Sequence, residues 1–281
     1  MINTTTFANN LESHICRRMD IGRRTSDRAF IGIAVLLFVV SAAVTIVWST
    51  AMPATGMPMP GGWTMSMTWM RMPGQTWAAA AASFLLMWIV MMVAMMTPSL
   101  VPMLLRYRQE VCRTGETRLG SLTALAGVGY FFVWTIFGMV VFPLGIALAA
   151  IEMRQPLLAR AVPIAVGVVV LIAGGFQFTR WKAHHLACCR QESARGLASS
   201  DTSRTTWRHG LYLGVQCVQC CAGLMAILLA MGIMNLQAMA VVTAAITVER
   251  LAPRGEGVAR VVGVLVVGVG LFLIARAAGL A

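Results

Sequence analysis

The sequence contains few charged residues and almost no lysine. Of its 281 residues only 11% are charged, and Lys182 is the single lysine among 22 basic residues. So little charge, together with 58% hydrophobic residues and a mean hydropathy of +0.77, excludes an ordinary soluble domain and indicates a membrane protein. The net charge of +12 does not point to nucleic acid, because the basic residues lie between apolar segments.

The usual motifs of catalysis and organic cofactors are also missing. The sequence has no paired carboxylates, no Ser-His-Asp arrangement and no glycine loop for a phosphate. None of the 4 His lies inside a predicted span, which argues against haem, and no acidic residue lies deep in a span to relay protons. These absences favour a binding role over catalysis and leave enzymatic activity open.

Seven apolar segments are candidates for membrane helices, which need about 20 apolar residues each. They cover residues 29–48, 77–104, 120–151, 157–179, 210–233, 235–250 and 260–277. Eighteen of the 22 basic residues lie in segments on one side, which places the N-terminus in the cytoplasm by the positive-inside rule. We therefore predict an all-α, polytopic transmembrane bundle of about seven spans; whether the short sixth segment crosses fully is left open.

The same pattern divides the chain into two regions. Residues 1–28 form a basic cytoplasmic tail, and residues 29–281 form the transmembrane domain. That domain carries a Met-rich outer loop, 49–76, and a basic cytoplasmic loop, 180–209. The expected location is the inner membrane of a bacterium, with the lipid bilayer as the surrounding solvent.

Three cysteines form the most informative motif. Cys217, Cys220 and Cys221 are spaced i, i+3, i+4 in an apolar stretch, so they share one helical face. Soft sulfur ligands grouped in this way suggest Cu(I) or, as a second possibility, Zn(II). With 7 Cys the chain cannot pair all its thiols, and their positions suit reduced cysteines. Free cysteines also pack as small apolar residues, so a metal-free role stays open.

Methionine is abundant in two places. Seven of the residues between 52 and 72 are Met, at spacings that allow thioethers to chelate Cu(I). The second predicted span carries two neighbouring stripes of Met at helical spacing, although such stripes also fill apolar cores. The candidate thioether ligands are Met57, Met59, Met65 and Met67 in the loop, and Met91, Met92, Met95 and Met96 in the span.

Two His-Cys pairs follow the fourth predicted span. His185 with Cys189, and His184 with Cys188, are spaced i, i+4, so each pair can present an imidazole and a thiolate to one metal. The residues from Cys217 to Cys221 lie about 10–17 Å from the cytoplasmic end of their span at 1.5 Å per residue. The inner part of the Met stripe reaches a similar depth, so we expect these groups to converge.

Three sequence blocks resemble a bacterial family described as predicted metal-binding integral membrane proteins, a domain of unknown function. The resemblance covers roughly residues 80–250. Its blocks are Trp88-x-x-Met91-x-x-Ala94-Met95-Met96-x-Pro98-Ser99-x-x-Pro102-Met103, Gln177-x-Thr179-x-x-Lys182-x-x-His185-Leu186-x-x-Cys189-Arg190, and Gly210-x-x-x-Gly214-x-x-Cys217-x-x-Cys220-Cys221-x-x-Leu224-Met225 with Gly232-x-Met234-Asn235 and Glu249. The chain departs from the family pattern at Arg180, His185, Ala222 and Arg250. The resemblance implies metal binding, and the Met-rich loop of this chain favours copper.

Three functions fit these patterns. The first is Cu(I) handling, as uptake, storage or delivery to a copper enzyme or copper chaperone. The second is a membrane oxidoreductase, or a subunit of a copper-dependent membrane enzyme. The third is a metal-free structural or assembly subunit. Nucleic acid is not an expected partner, and oligomerisation is left open.

Overall fold

The computed structural model describes residues 4–51, 57–59, 63–65, 69, 74–113, 118–191 and 202–279. Within these residues eight helices account for nearly the whole fold, as the all-α prediction required. They are α1 (Thr4–Ala51), α2 (Trp77–Arg113), α3 (Leu119–Arg154), α4 (Pro156–Phe176), α5 (Arg180–Gln191), α6 (Thr202–Met231), α7 (Leu236–Leu251) and α8 (Gly255–Ala277). Two short antiparallel strands, β1 (Met57–Met59) and β2 (Trp63–Met65), interrupt the predicted outer loop.

Six helices are long and apolar enough to cross a membrane. They are α1, from Thr25 onward, together with α2, α3, α4, α6 and α8. The sixth predicted span, residues 235–250, corresponds to α7, which has 16 residues and is not among them. At 1.5 Å per residue its length is about 24 Å, which is less than the roughly 30 Å of a bilayer core. The prediction of about seven spans thus becomes six long helices and one short one.

Helical structure extends further than the hydrophobic segments suggested. The backbone is already helical from Thr4, within the predicted tail. The predicted cytoplasmic loop, 180–209, contains all of α5 and the first turns of α6, so most of its described residues are helical. Hydrophobicity identifies only the apolar part of a helix. Polar residues, such as those of α5, can form helix without raising the hydrophobicity of the segment.

Glycines allow the helices to pack closely in antiparallel pairs. A Cβ on Gly174 of α4 would lie 2.9 Å from the backbone nitrogen of Val267 in α8, and a Cβ on Gly270 would lie 2.9 Å from that of Leu171. The positions facing each other run in opposite directions, so α4 and α8 are antiparallel. Small residues permit this backbone approach in helical membrane proteins.

The connection between α6 and α7 returns the chain toward the middle of the bundle. Gly232 has a φ of +103°, a conformation that favours glycine, and it follows the last residue of α6. Asn235 then caps α7, since its side chain accepts a hydrogen bond of 3.0 Å from the backbone N–H of Ala238. The last turn of α7, with Glu249 and Arg250, lies beside Lys182 and Cys189 of α5.

The outer faces of the bundle are apolar. Large hydrophobic side chains project from α1, α4, α7 and α8 with more than half their surface exposed, among them Leu36 (62%), Ile172 (67%), Val241 (69%) and Leu265 (64%). Contiguous exposed apolar surface of this extent indicates a covering other than water.

We expect the packing of α3 against α6 to be sensitive to Gly210. A Cβ added there would overlap the backbone carbonyl of Ala126, so Gly210→Ala should destabilise the fold by about 1–3 kcal/mol through overpacking. The measurement is thermal unfolding of the purified protein in detergent. Gly127→Ala is the matched control, because nothing lies within 4 Å of a Cβ at that position and alanine favours helix. Equal melting temperatures for the two variants would contradict this packing.

Candidate metal centre

Sulfur atoms from α2 and α6 meet in the interior of the bundle. The Sγ of Cys217 lies 3.9 Å from the Sγ of Cys221 and 3.9 Å from the Sδ of Met96. All three side chains are 0–1% exposed. We call Met96, Cys217 and Cys221 the core sulfur cluster.

These separations suit a small soft cation. An ion held about 2.3 Å from each of three sulfurs in a plane separates those sulfurs by about 4 Å. The two thiols come from successive turns of one helix, so the backbone of α6 fixes their spacing. The thioether comes from a different helix, which means that the cluster depends on how α2 packs in the bundle.

Tyr130 of α3 completes the surroundings of Cys217. Its Oη lies 2.9 Å from the Sγ of Cys217, and its side chain is fully buried. A phenolic hydroxyl can donate to a thiolate sulfur and accept from a thiol. This contact could not be predicted from the sequence, because a tyrosine within an apolar span is most often explained by packing alone.

Cys220 lies between the core sulfur cluster and α5. Its side chain interacts with that of Cys221 and with that of Cys189 on α5, and all three are almost fully buried. The Sγ of Cys189 in turn lies 3.8 Å from Nη2 of Arg250. The cysteines of α6 therefore point toward two adjacent regions, one on α2 and one on α5.

A buried ion pair supports this arrangement. Nζ of Lys182 donates to Oε2 of Glu249 at 2.8 Å and to the backbone carbonyl of Cys220 at 2.7 Å. Nε2 of Gln177 donates to the other carboxylate oxygen at 3.0 Å. Burial alone would lower the pKa of Lys182, but the influence of Cys220 and Glu249 raises it above its ordinary value. Glu249 lies in the last turn of α7, at the edge of a predicted span as expected, but its burial was not predicted, because its partners lie elsewhere in the sequence.

The Met stripe lies in the core, and one of its members contacts a cysteine. Met91, Met92, Met95 and Met96 are each 0–2% exposed and pack within the main hydrophobic core. The structure gives the sulfur of Met96 a contact with Cys217. The other three methionines precede Met96 on α2 by up to five residues, which is about 7.5 Å along the helix axis at 1.5 Å per residue.

The two predicted His-Cys pairs do not behave alike. His184 and Cys188 lie together at the surface, with 3.6 Å between Nε2 and Sγ. His185 instead has Nδ1 2.9 Å from Oε1 of Gln216, and its ring packs 4.1 Å from that of Trp181. Cys189 points inward, so the structure does not show His185 and Cys189 as a joint ligand pair.

The two described strands of the outer loop lie at the end of the bundle where α4 begins. Strands β1 and β2, which we call the Met ribbon, place Met57 opposite Met65 and Met59 opposite Trp63, while Met67 lies outside the described residues. Nε1 of Trp63 donates to the carbonyl of Ala159 at 2.8 Å, which fixes the ribbon at the start of α4. The ribbon is therefore remote from the core sulfur cluster.

Among the described residues no group of three or more His, Cys, Asp or Glu side chains forms a ready metal site. A site in the core consequently depends on thioether sulfur as well as thiols. This donor set fits a soft ion that accepts few ligands, and it is poorly suited to zinc, whose structural sites take four Cys or His ligands.

A family model described as PpoB2, copper chaperone, matches residues 85–273. The chain belongs to this copper chaperone family. The match runs from α2 into α8 and includes the core sulfur cluster, Lys182, Glu249 and Arg250, whereas the Met ribbon precedes it. Neither a curated protein nor a solved structure shows detectable similarity to the chain. Membership of the copper chaperone family supports the copper part of the sequence prediction and favours copper over zinc.

The Lys182–Glu249 pair gives a stability prediction for this member of the family. Glu249→Leu leaves Lys182 buried without its carboxylate and should cost about 3–5 kcal/mol. Replacing both residues, as Lys182→Met with Glu249→Leu, should restore much of the loss, because no unpaired charge remains. Thermal unfolding in detergent measures both effects.

The exposed Glu256 provides the control for that experiment, and Glu256→Gln should leave stability unchanged within about 0.5 kcal/mol. A double variant that is no more stable than Glu249→Leu would show that the two side chains are not coupled.

Proposed function

We propose that this protein is a multi-pass membrane protein that binds Cu(I) as cargo at the core sulfur cluster and delivers it to a partner copper enzyme. The observation that carries the proposal is the contact of Met96, Cys217 and Cys221 in the interior. Family membership supports copper handling in general. The site, the membrane and the partner are the parts proposed here.

Two features support insertion in a bilayer. Six helices have the length and apolarity to cross it, and the side chains on their outer faces are largely hydrophobic. The excess of basic residues on one side supports a cytoplasmic N-terminus and a location in the inner membrane of a bacterium. In this orientation the Met ribbon faces outward and α5 faces the cytoplasm.

The ligands of the cluster favour Cu(I) over harder ions. Thiolate and thioether sulfur are the soft ligands that select Cu(I). The thiols must lose their protons when the metal binds, and the neighbouring Tyr130 hydroxyl can donate a hydrogen bond to a sulfur that has done so. Complete burial also keeps water and oxidants away from the bound ion.

Methionine provides a route between the surface and the cluster. The Met ribbon lies at the end of the bundle where α4 begins, and Met91, Met92 and Met95 precede Met96 on α2. Thioethers hold Cu(I) weakly enough to exchange it and do not depend on pH. His184 and Cys188 lie together on the exposed face of α5 and are the candidate ligands at the cytoplasmic end. We propose that copper moves along these groups and rests at the core.

The direct test is the copper content of purified protein. Cys217→Ser and Cys221→Ser should each lower bound Cu(I) by at least about tenfold at limiting metal, because each variant removes a thiolate from a small ligand set. Cys112→Ser removes a thiol that is not among the candidate ligands and should leave bound copper unchanged. Copper is counted by elemental analysis after anaerobic loading in detergent. Unchanged copper in the two core variants would reject the site, and metal-free protein would favour a structural role.

The thioether has its own test. Met96→Leu keeps nearly the same volume and removes the sulfur, so it should weaken Cu(I) affinity by about tenfold with little change in stability. Met239→Leu, which replaces another buried methionine that is 5% exposed, is the matched control. Competition with a soluble Cu(I) chelator measures the affinities. Equal affinities for the two variants would remove Met96 from the ligand set.

A further inference from the structure

Arg250 is a buried cation at the end of α7. Its side chain is 6% exposed, and its guanidinium reaches three groups of the core. Nη2 lies 3.8 Å from the Sγ of Cys189, while Nη1 lies 3.9 Å from the Sδ of Met103 and 3.5 Å from the Oγ of Ser99. An arginine remains protonated in proteins, so this positive charge is permanent.

No carboxylate in the described part of the chain neutralises Arg250. The adjacent Glu249 is already bound by Lys182 and Gln177 on both of its oxygens. The Lys182–Glu249 pair is neutral as a unit, which leaves the charge of Arg250 uncompensated. A buried charge without a counter-charge is unfavourable, so a negative group near Arg250 would stabilise the protein.

Thiols near Arg250 can become negative. The guanidinium contacts Cys189 directly, and Cys217 and Cys221 lie within electrostatic range of its charge. Binding a metal converts thiols to thiolates and supplies the missing negative charge.

The charge balance then depends on the valence of the metal. Two thiolates, from Cys217 and Cys221, are neutralised by one Cu(I) and the guanidinium of Arg250 together. A divalent ion in the same place leaves one excess positive charge in the buried core. A third thiolate would correct the excess, but the described residues contain no group of three such ligands arranged for one ion.

We infer that Arg250 determines valence specificity, making the core sulfur cluster selective for a monovalent soft cation over a divalent one. This inference rests on the proposed function, because it assumes that the cluster is where copper binds. It assigns Arg250 no ligand role: the guanidinium acts through its charge on an ion that it does not touch.

Two pairs of ions distinguish the effect of an ion's charge from the effect of its softness as a ligand acceptor. Cu(I) and Zn(II) have the same electron configuration and differ by one charge, and Ag(I) and Cd(II) form a heavier pair of the same kind. Affinities of the detergent-purified full chain for all four ions, measured anaerobically by competition, give a monovalent-to-divalent ratio. The variants are Arg250→Met and Arg250→Gln, which remove the charge, and Arg250→Lys, which keeps it.

The charge-removing variants should lose affinity for Cu(I) and Ag(I) and keep their affinity for Zn(II) and Cd(II), because two thiolates with a divalent ion add no net charge on which the guanidinium can act. The ratio should therefore fall by at least about tenfold, the factor for two unit charges as much as about 12 Å apart at an effective dielectric of about 20. Arg250→Lys should retain the ratio within about threefold. Loosened packing would weaken all four ions together, so a loss confined to the monovalent ions identifies the charge.

The outcomes also separate this inference from the proposed function. If Cys217→Ser and Cys221→Ser leave bound copper unchanged, both proposals are overturned. If copper binds at the cluster but a folded Arg250→Met or Arg250→Gln protein keeps the wild-type ratio, the specificity role is overturned and the copper site stands. Gln retains an amide that can contact Cys189, so it supplies a second charge-free variant should Met not fold.

Discussion

The contact of the Cys217 thiol with the Met96 thioether is the interaction on which the rest of this account depends. It joins two helices at 3.9 Å, and a second thiol of α6 lies at the same distance. Neither helix makes a soft-metal site alone, since α6 contributes thiols and α2 contributes the thioether. The match to the copper chaperone family covers both residues. The core therefore has sulfur on two sides of one small volume.

Polar side chains around the sulfur atoms stabilise the packing of the helices without occupying the space between those atoms. Lys182 links three helices, because it lies on α5 and bonds both the carbonyl of Cys220 on α6 and the carboxylate of Glu249 on α7. Buried ion pairs contribute little net stability but strongly favour one arrangement over alternatives that leave a charge unpaired. Arg250, one residue later, brings a charge that the pair does not cancel. The short helix α7 thus positions charge beside the sulfur atoms, although it is too short to be a span of full length.

Much of the fold could be predicted from hydrophobicity and residue spacing. The features that could not be predicted have physical causes. Long apolar runs predicted the six long helices, because burial in lipid requires them. The spacing of Cys217 and Cys221 predicted a shared face, and matching depths predicted their approach to Met96; metal binding by these residues stays a prediction. Tyr130 and Glu249 were missed because their roles come from tertiary contacts. His185 was expected to pair with Cys189, but Gln216 of α6 binds its ring.

The central claim is that copper binds between α2 and α6 in the core. Anomalous diffraction at the copper absorption edge, from crystals of anaerobically loaded protein, tests it most directly. The account predicts one strong peak, about 2.3 Å from each of the sulfurs of Cys217, Cys221 and Met96. A peak confined to the Met ribbon or to His184 and Cys188, with none in the core of fully loaded protein, would contradict it.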